Sequence, residues 1–154
     1  PALEREAGLV AAGFLAEGLF SDGRKTGFRL KDIQSERTCL ICTETPHTNW
    51  EKTGRFYFNP EGMHFGNDLL SVPPERTDLF IIDEFGPLEL QGKGWYPGMM
   101  ERQQNHPEEV LLITVRQEIL SRVKDLLADH ELLVFDIHEA GTASLIREIC
   151  RSIR

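Results

Sequence analysis

The chemistry available to this chain is concentrated in two adjacent carboxylates. Asp83 and Glu84 follow Ile81-Ile82 at the end of a short apolar run that reads as a buried strand. A carboxylate at such an end is costly if it is buried without a partner. A divalent cation reached through water would satisfy Asp83, and Glu84 could then orient or deprotonate an attacking water. The same dipeptide also reads as two solvated residues at a strand end, or as caps of a following helix. Phe85-Gly86-Pro87 makes a rigid exit, and Glu89, two residues beyond the proline, suits a packing or salt-bridging role.

Basic residues that could work with these carboxylates lie elsewhere. Arg116 follows the apolar run Val110 to Val115, where a guanidinium could face phosphate oxygens as charge develops on them, or pair with Glu118 or Asp136. Arg24 and Lys25 follow a Ser21-Asp22-Gly23 turn and could reach a polyphosphate from above. Cys39 and Cys42 have the spacing of half a zinc knuckle or of a redox pair. They lie within a strand-like run, where positions three apart point to opposite faces. No second cysteine pair exists, His47 is the only nearby imidazole, and Cys150 reads as a core cysteine. His64, between Gly62 and Gly66, could touch a base, and Trp95-Tyr96 could stack on one or simply pack. His138, following Asp136, either assists a site or shapes a turn. No serine sits on a glycine-flanked elbow. No segment of the form G-x-x-x-x-G-K-[ST], the usual phosphate-cradling loop, occurs in the 154 residues.

Two kinds of organisation position these residues. Leu3 to Ala7 reads as the tail of a helix stopped by Gly8. Leu9 to Phe20 and Lys25 to Asp32 read as an antiparallel hairpin, followed by a strand over Thr38 to Thr43, a polar loop over Glu44 to Gly54 and a short strand over Arg55 to Phe58. Pro60 to Leu70 is a turn entering a helix, and Pro73-Pro74 marks a break. Beyond Asp78 strands and helices alternate. Leu79 to Asp83, Val110 to Val115 and Leu132 to Phe135 are strands; a helix ends over Glu101 to Asn105; Gln117 to Asp129 and Thr142 to Ile153 are helices. Short continuously apolar strands joined by helices imply a mostly parallel sheet covered on both faces. The functional edge of such a sheet lies beyond its carboxyl ends. Asp83-Glu84, Thr114 to Arg116 and Asp136 to His138 all fall on that edge.

Composition bounds the rest. At 154 residues and 40% apolar content the chain suits one domain with its own core. With 17 basic and 25 acidic side chains the net charge is −8, a poor match for a nucleic-acid backbone. No apolar stretch reaches the roughly 20 residues that span a bilayer, and no signal peptide is visible. Three cysteines fit a reducing, cytoplasmic setting better than a disulfide scaffold.

Two runs carry a resemblance. Gly13-Phe14-Leu15-Ala16-Glu17-Gly18-Leu19 with Asp22-Gly23-Arg24-Lys25-Thr26-Gly27-Phe28 resembles the hairpin of the thermophile-type P-loop nucleoside triphosphatase family. Ile81-Ile82-Asp83-Glu84-Phe85-Gly86-Pro87-Leu88-Glu89-Leu90 resembles that family's magnesium-and-water strand end. With Arg55 to Leu70, the likeness runs from about Val10 to Phe135. It implies an α/β, three-layer P-loop NTPase-like domain over residues 1–154, with a mostly parallel sheet, an antiparallel N-terminal hairpin and the first strand absent. It also implies magnesium-dependent hydrolysis of nucleoside triphosphates, with Asp83 as the magnesium-associated residue and Glu84 as the water-activating one. Pro87 stands where the family has lysine, and Asp136-Ile137-His138-Glu139 replaces its Asn-Arg. The resemblance places the family's first strand and phosphate loop ahead of Leu3, with that strand beside the one ending at Asp83. Without it, two apolar strand edges and a core cavity would be exposed, giving a surface for self-association, unless the sheet closes up differently; the favoured expectation is that the missing segment belongs to the native product. The chain alone is then expected to be inactive. The alternatives are a non-catalytic relative kept for binding or assembly, and a small-molecule binder using the same sheet edge.

Overall fold

Ala11–Ser21 forms strand β1, and a two-residue Asp22-Gly23 loop returns it as β2 (Arg24–Asp32), with Ser21 opposite Arg24. Both loop residues have positive φ, 50° and 75°. That is the type I′ geometry whose twist matches the flanking strands, and Asp-Gly is a favoured sequence for it. The structure, a computed structural model, describes residues 8–71, 77–137 and 142–152. The expected helix tail at 3–7, the break at 73–74 and the residues His138 and Glu139 lie outside these.

Strands β3 (Thr38–Thr43), β4 (Glu51–Thr53) and β5 (Phe56–Phe58) follow. The loop expected over 44–54 thus contains a short strand, held by pairing with β5 despite its polar sequence. Helix α1 (Pro60–Ser71) begins at a built cap. Asn59 accepts the Glu61 N–H through Oδ1 at 3.1 Å and donates through Nδ2 to the Leu40 carbonyl at 2.9 Å, with proline at the first helical position. Then come β6 (Leu79–Phe85), a 3-10 turn (Glu89–Gln91), α2 (Tyr96–Asn105) and β7 (Val110–Val115). A second 3-10 turn (Gln117–Ile119) leads into α3 (Leu120–Leu126), and α4 spans Thr142–Ser152.

The seven strands form one sheet in the order β4-β5-β3-β2-β1-β6-β7. The α/β fold with its antiparallel opening hairpin is as expected, but the sheet is mixed. Parallel pairing joins only β1 to β6 and β6 to β7, and the other four pairings are antiparallel. The parallel character read from Asp78 onward and the antiparallel character read for the opening half both hold, so the sheet joins a parallel unit to an antiparallel one. Leu79 and Phe80 point to opposite faces of β6, and both are buried to 1% exposure or less, so β6 is covered on both sides. On one face Phe14, Leu30, Phe80 and Ile82 pack with Leu70 of α1 and with Trp95 and Met99 at and within α2. Gly13 faces Ile81 across the β1–β6 pair at φ 108°, and a Cβ there would collide with the Ile81 main chain. Only glycine allows this close parallel approach.

Two expectations fail at the other end of the sheet. The strand ending at Asp83 has no open edge, because β1 and β7 flank it. Among the described strands β7 is the edge at this end, and its Leu111, Leu112, Ile113 and Val115 are only half-buried. Leu132 to Phe135 is not a strand: the segment makes no strand pairing, and Leu133 and Ile137 are 60% and 70% exposed. An apolar run becomes a strand only if a neighbour takes its hydrogen bonds. The helix expected over 117–129 is likewise a 3-10 turn and a seven-residue helix, with Val123 and Leu127 buried.

One buried ion pair joins these layers. The Arg102 guanidinium donates from Nε to Glu109 Oε1 at 2.5 Å and from Nη2 to Oε2 at 2.6 Å. It also donates from Nη1 to the Leu70 carbonyl at 3.0 Å and stacks over Phe80 at 3.7 Å. Three elements and the lead-in to β7 therefore meet at one side chain. Removing it strands the Glu109 carboxylate and an end-of-helix carbonyl. Arg102→Ala is expected to lower the unfolding free energy by about 3–5 kcal/mol, read from urea denaturation.

Candidate active site

The site is a defect in the β6–β7 ladder. Ile82 pairs with Ile113 and Phe85 with Val115, so Asp83 and Glu84 together oppose the single residue Thr114. This is a β-bulge, one extra residue that bends the strand and re-aims side chains. Glu84 carries the local cost, since its φ is 63°, a left-handed conformation uncommon for a residue with a Cβ.

Thr114 fills the bulge from the neighbouring strand. Its hydroxyl donates to Asp83 Oδ1 at 2.5 Å and accepts the Glu84 N–H at 2.8 Å. The Glu84 N–H also lies 3.1 Å from Asp83 Oδ1, and the Ala16 N–H donates to Asp83 Oδ2 at 2.9 Å. Asp83 is thus gripped by β1 on one side and β7 on the other, which offsets the cost of placing a carboxylate at the end of a buried strand. The Arg116 guanidinium, just past β7, donates to Glu84 Oε2 at 3.2 Å. It is 63% exposed, so this pair is weak, about 0–1 kcal/mol.

Asp83, Glu84 and Arg116 are therefore brought together. Arg24 and Lys25 are not. They sit at the outer end of the β1–β2 hairpin, where Lys25 pairs with Phe20, four residues beyond Ala16 and so roughly 13 Å along the strand. There Arg24 is ion-paired with Glu44, and Lys25 lies 4.4 Å over the Phe28 ring. Of the three expected strand ends, two converge; Asp136 is half-buried but ends no strand. Thr114 falls on the edge the sequence indicated, but its role in the bulge was not assigned there. Its signal was present, as the one polar side chain in Val-Leu-Leu-Ile-Thr-Val. The Ala16 contact is main-chain and left no trace in residue type.

The remaining candidates resolve as packing or surface. Trp95 is buried against Phe14 at 5.1 Å between ring centroids, His64 is exposed on α1, and Pro87 is exposed. Glu89 is buried as a main-chain acceptor, and among the described residues it makes no salt bridge. Cys39, Cys42 and Cys150 are free thiols, and Cys150 is only half-buried. Burial pushes the Cys42 thiol up to about 11 and raises Cys39 as well, the opposite of what a redox or metal-binding cysteine needs. Among the described residues no group of three His, Cys, Asp or Glu side chains could hold a metal, and no helix is long and apolar enough to cross a membrane.

The bulge supplies one anchored carboxylate, one re-aimed carboxylate and one exposed guanidinium at the carboxyl edge of a parallel β-unit, where α/β sheets place their ligands. Comparison with known proteins supports this fold. A family model described as NTPase matches residues 2–151, and the chain belongs to that family. Nucleoside-triphosphatase THEP1 of Thermotoga sp. (strain RQ2) is 26% identical over 140 residues, 90% of this chain and 78% of that protein. The protein of the same name from Archaeoglobus fulgidus is 27% identical over 146 residues, 93% and 81% of the two chains. Among solved structures, the solution structure of a human cancer-related nucleoside triphosphatase superposes with a TM-score of 0.69, covering 99% of this chain and 86% of that one. At 17% identity this establishes the P-loop NTPase-like fold alone.

If the bulge forces Glu84 into its conformation, relieving that conformation should help the fold. Glu84→Gly is expected to match the parent or exceed it by up to about 1 kcal/mol, whereas Glu84→Val should lose about 1–2 kcal/mol. Parallel thermal and urea denaturation of the two variants checks this.

Proposed function

We propose that this chain carries the cation- and water-handling half of a nucleoside triphosphatase site, acting on ATP- or GTP-class substrates with magnesium. The observation that supports this reading is the Asp83-Glu84 bulge pinned by Thr114. A carboxylate has about four acceptor positions, and Asp83 uses three, leaving one on Oδ2. That suits an outer contact through water to a magnesium ion, which keeps most of its waters and substrate oxygens as ligands. When bound, magnesium would offset phosphate charge. Asp83 would hold the water shell in place. Glu84, re-aimed by the bulge, would accept a proton from an attacking water, and Arg116, only weakly tethered, would move to the phosphate oxygens. Arg24 and Lys25 add positive charge farther out, toward the end of the substrate remote from the reacting phosphorus.

The phosphate loop is proposed to come from polypeptide outside these 154 residues. In a polypeptide that also carries such a loop, Glu84→Gln should lower kcat by about 10²–10⁴-fold with little change in KM. The 154-residue chain assayed alone should release no phosphate from MgATP or MgGTP, and magnesium-dependent turnover by it would refute this division of the site. The setting proposed is cytoplasmic, with nucleic acid disfavoured by the net charge of −8.

One observation favours a second reading, an inactive relative used for assembly. The β4 edge is short, charged and exposed, as edges that avoid pairing are, whereas the β7 edge is apolar and half-buried and pairs with no further strand among the described residues. Sedimentation of the 154-residue chain should then show concentration-dependent dimers or larger species. A monomer throughout the micromolar range would remove this reading.

A further inference from the structure

We propose that Glu89 is a positioning residue for Glu84, holding closed the loop that leaves the bulge. Glu89 is 3% exposed, and both of its oxygens are engaged by main-chain donors. The Gly86 N–H donates to Oε2 at 2.8 Å, and the Trp95 N–H donates to Oε1 at 2.9 Å. One carboxylate therefore ties the two ends of the 86–95 loop to each other. Gly86 comes directly after Phe85, the residue that resumes the β6–β7 ladder beyond the bulge. Trp95 is itself fixed in the core against Phe14, which pairs with Ile82 just before the bulge.

The carboxylate has a built seat. At Gly94, where φ is 60°, an added Cβ would collide with Glu89 Oε1, so the chain passes against the carboxylate with no space between. The 3-10 turn that carries Glu89 also contacts α3. Glu84 is thus held from two directions. Thr114 and Asp83 grip its N–H, and Glu89 anchors the backbone two residues further on. A left-handed residue persists only where its surroundings over-determine it, and without the Glu89 anchor the far side of the bulge rests on the Phe85–Val115 pairing alone.

That Glu84 handles water rests on the functional reading above; that Glu89 positions it does not, and the two can fail separately. The test uses the 154-residue chain and amide exchange with assigned amide resonances, in Glu89→Gln, Glu89→Asp and, as a route that leaves the carboxylate intact, Gly94→Ala. The expected result is a shifted Glu84 amide resonance and exchange at Glu84 and Gly86 accelerated at least about tenfold more than at Leu30 or Cys42 in the β2–β3 pair. Equal acceleration everywhere would mean a merely structural carboxylate and would overturn the proposal. So would release of Gly86 and Trp95 with the Glu84 resonance and its protection unchanged.

Discussion

The Thr114 hydroxyl is the contact on which the rest of the site depends. It gives its proton to Asp83 and takes the Glu84 N–H, and so sets two carboxylates against one residue of the next strand. Remove the hydroxyl and Asp83 Oδ1 loses its closest donor, while the Glu84 N–H keeps only a long contact to its own neighbour. The bulge would then have no reason to sit at this rung of the ladder. What looks like an acidic pair is better described as a three-residue unit spanning two strands.

That unit needs a rigid frame, and the parallel trio β1, β6 and β7 provides it. Gly13 lets β1 approach β6 closely enough for the Ala16 N–H to reach Asp83. Arg102 and Glu109 lock α2, the end of α1 and the start of β7 over Phe80, so the register that places Thr114 opposite the bulge is held from behind. The antiparallel half, β2 to β5, extends the sheet away from this edge, and its basic hairpin end stands roughly 13 Å off. Distance along β1 is why residues grouped by chemistry in the sequence separate in space.

Much of this was legible beforehand, for physical reasons that also explain the misses. Asp22-Gly23 and the strand over Thr38–Thr43 are local, set by turn geometry and alternation. Val110–Val115 is long and apolar, and it has β6 beside it to take its hydrogen bonds. Leu132 to Phe135 has the same composition but lacks a neighbour among the described strands, and strand formation is not a property a segment holds alone. That a hairpin half would join a parallel half was readable; that antiparallel pairs would outnumber parallel ones was not, because pairing depends on connections and not on residue type. Asp83, Glu84 and Arg116 could be singled out because charge beside an apolar run is conspicuous. Thr114 and the Ala16 N–H could not be ranked, because hydroxyls and main-chain donors acquire meaning only from the register.

The left-handed glutamate is the point where stability and placement part company. Glycine would occupy φ 63° without steric cost. The chain instead puts a long, charged side chain there and surrounds it with compensation: a hydroxyl and a carboxylate on its N–H, an arginine on its carboxylate, and Glu89 on the backbone beyond. Strain of about 1–2 kcal/mol is a sizeable fraction of a domain's net stability. Packing cannot account for it, since Glu84 is half-exposed and fills no core space. The arrangement makes sense if the direction of that carboxylate is what the bulge is for, because no ordinary strand residue at this rung could aim a side chain along the same line.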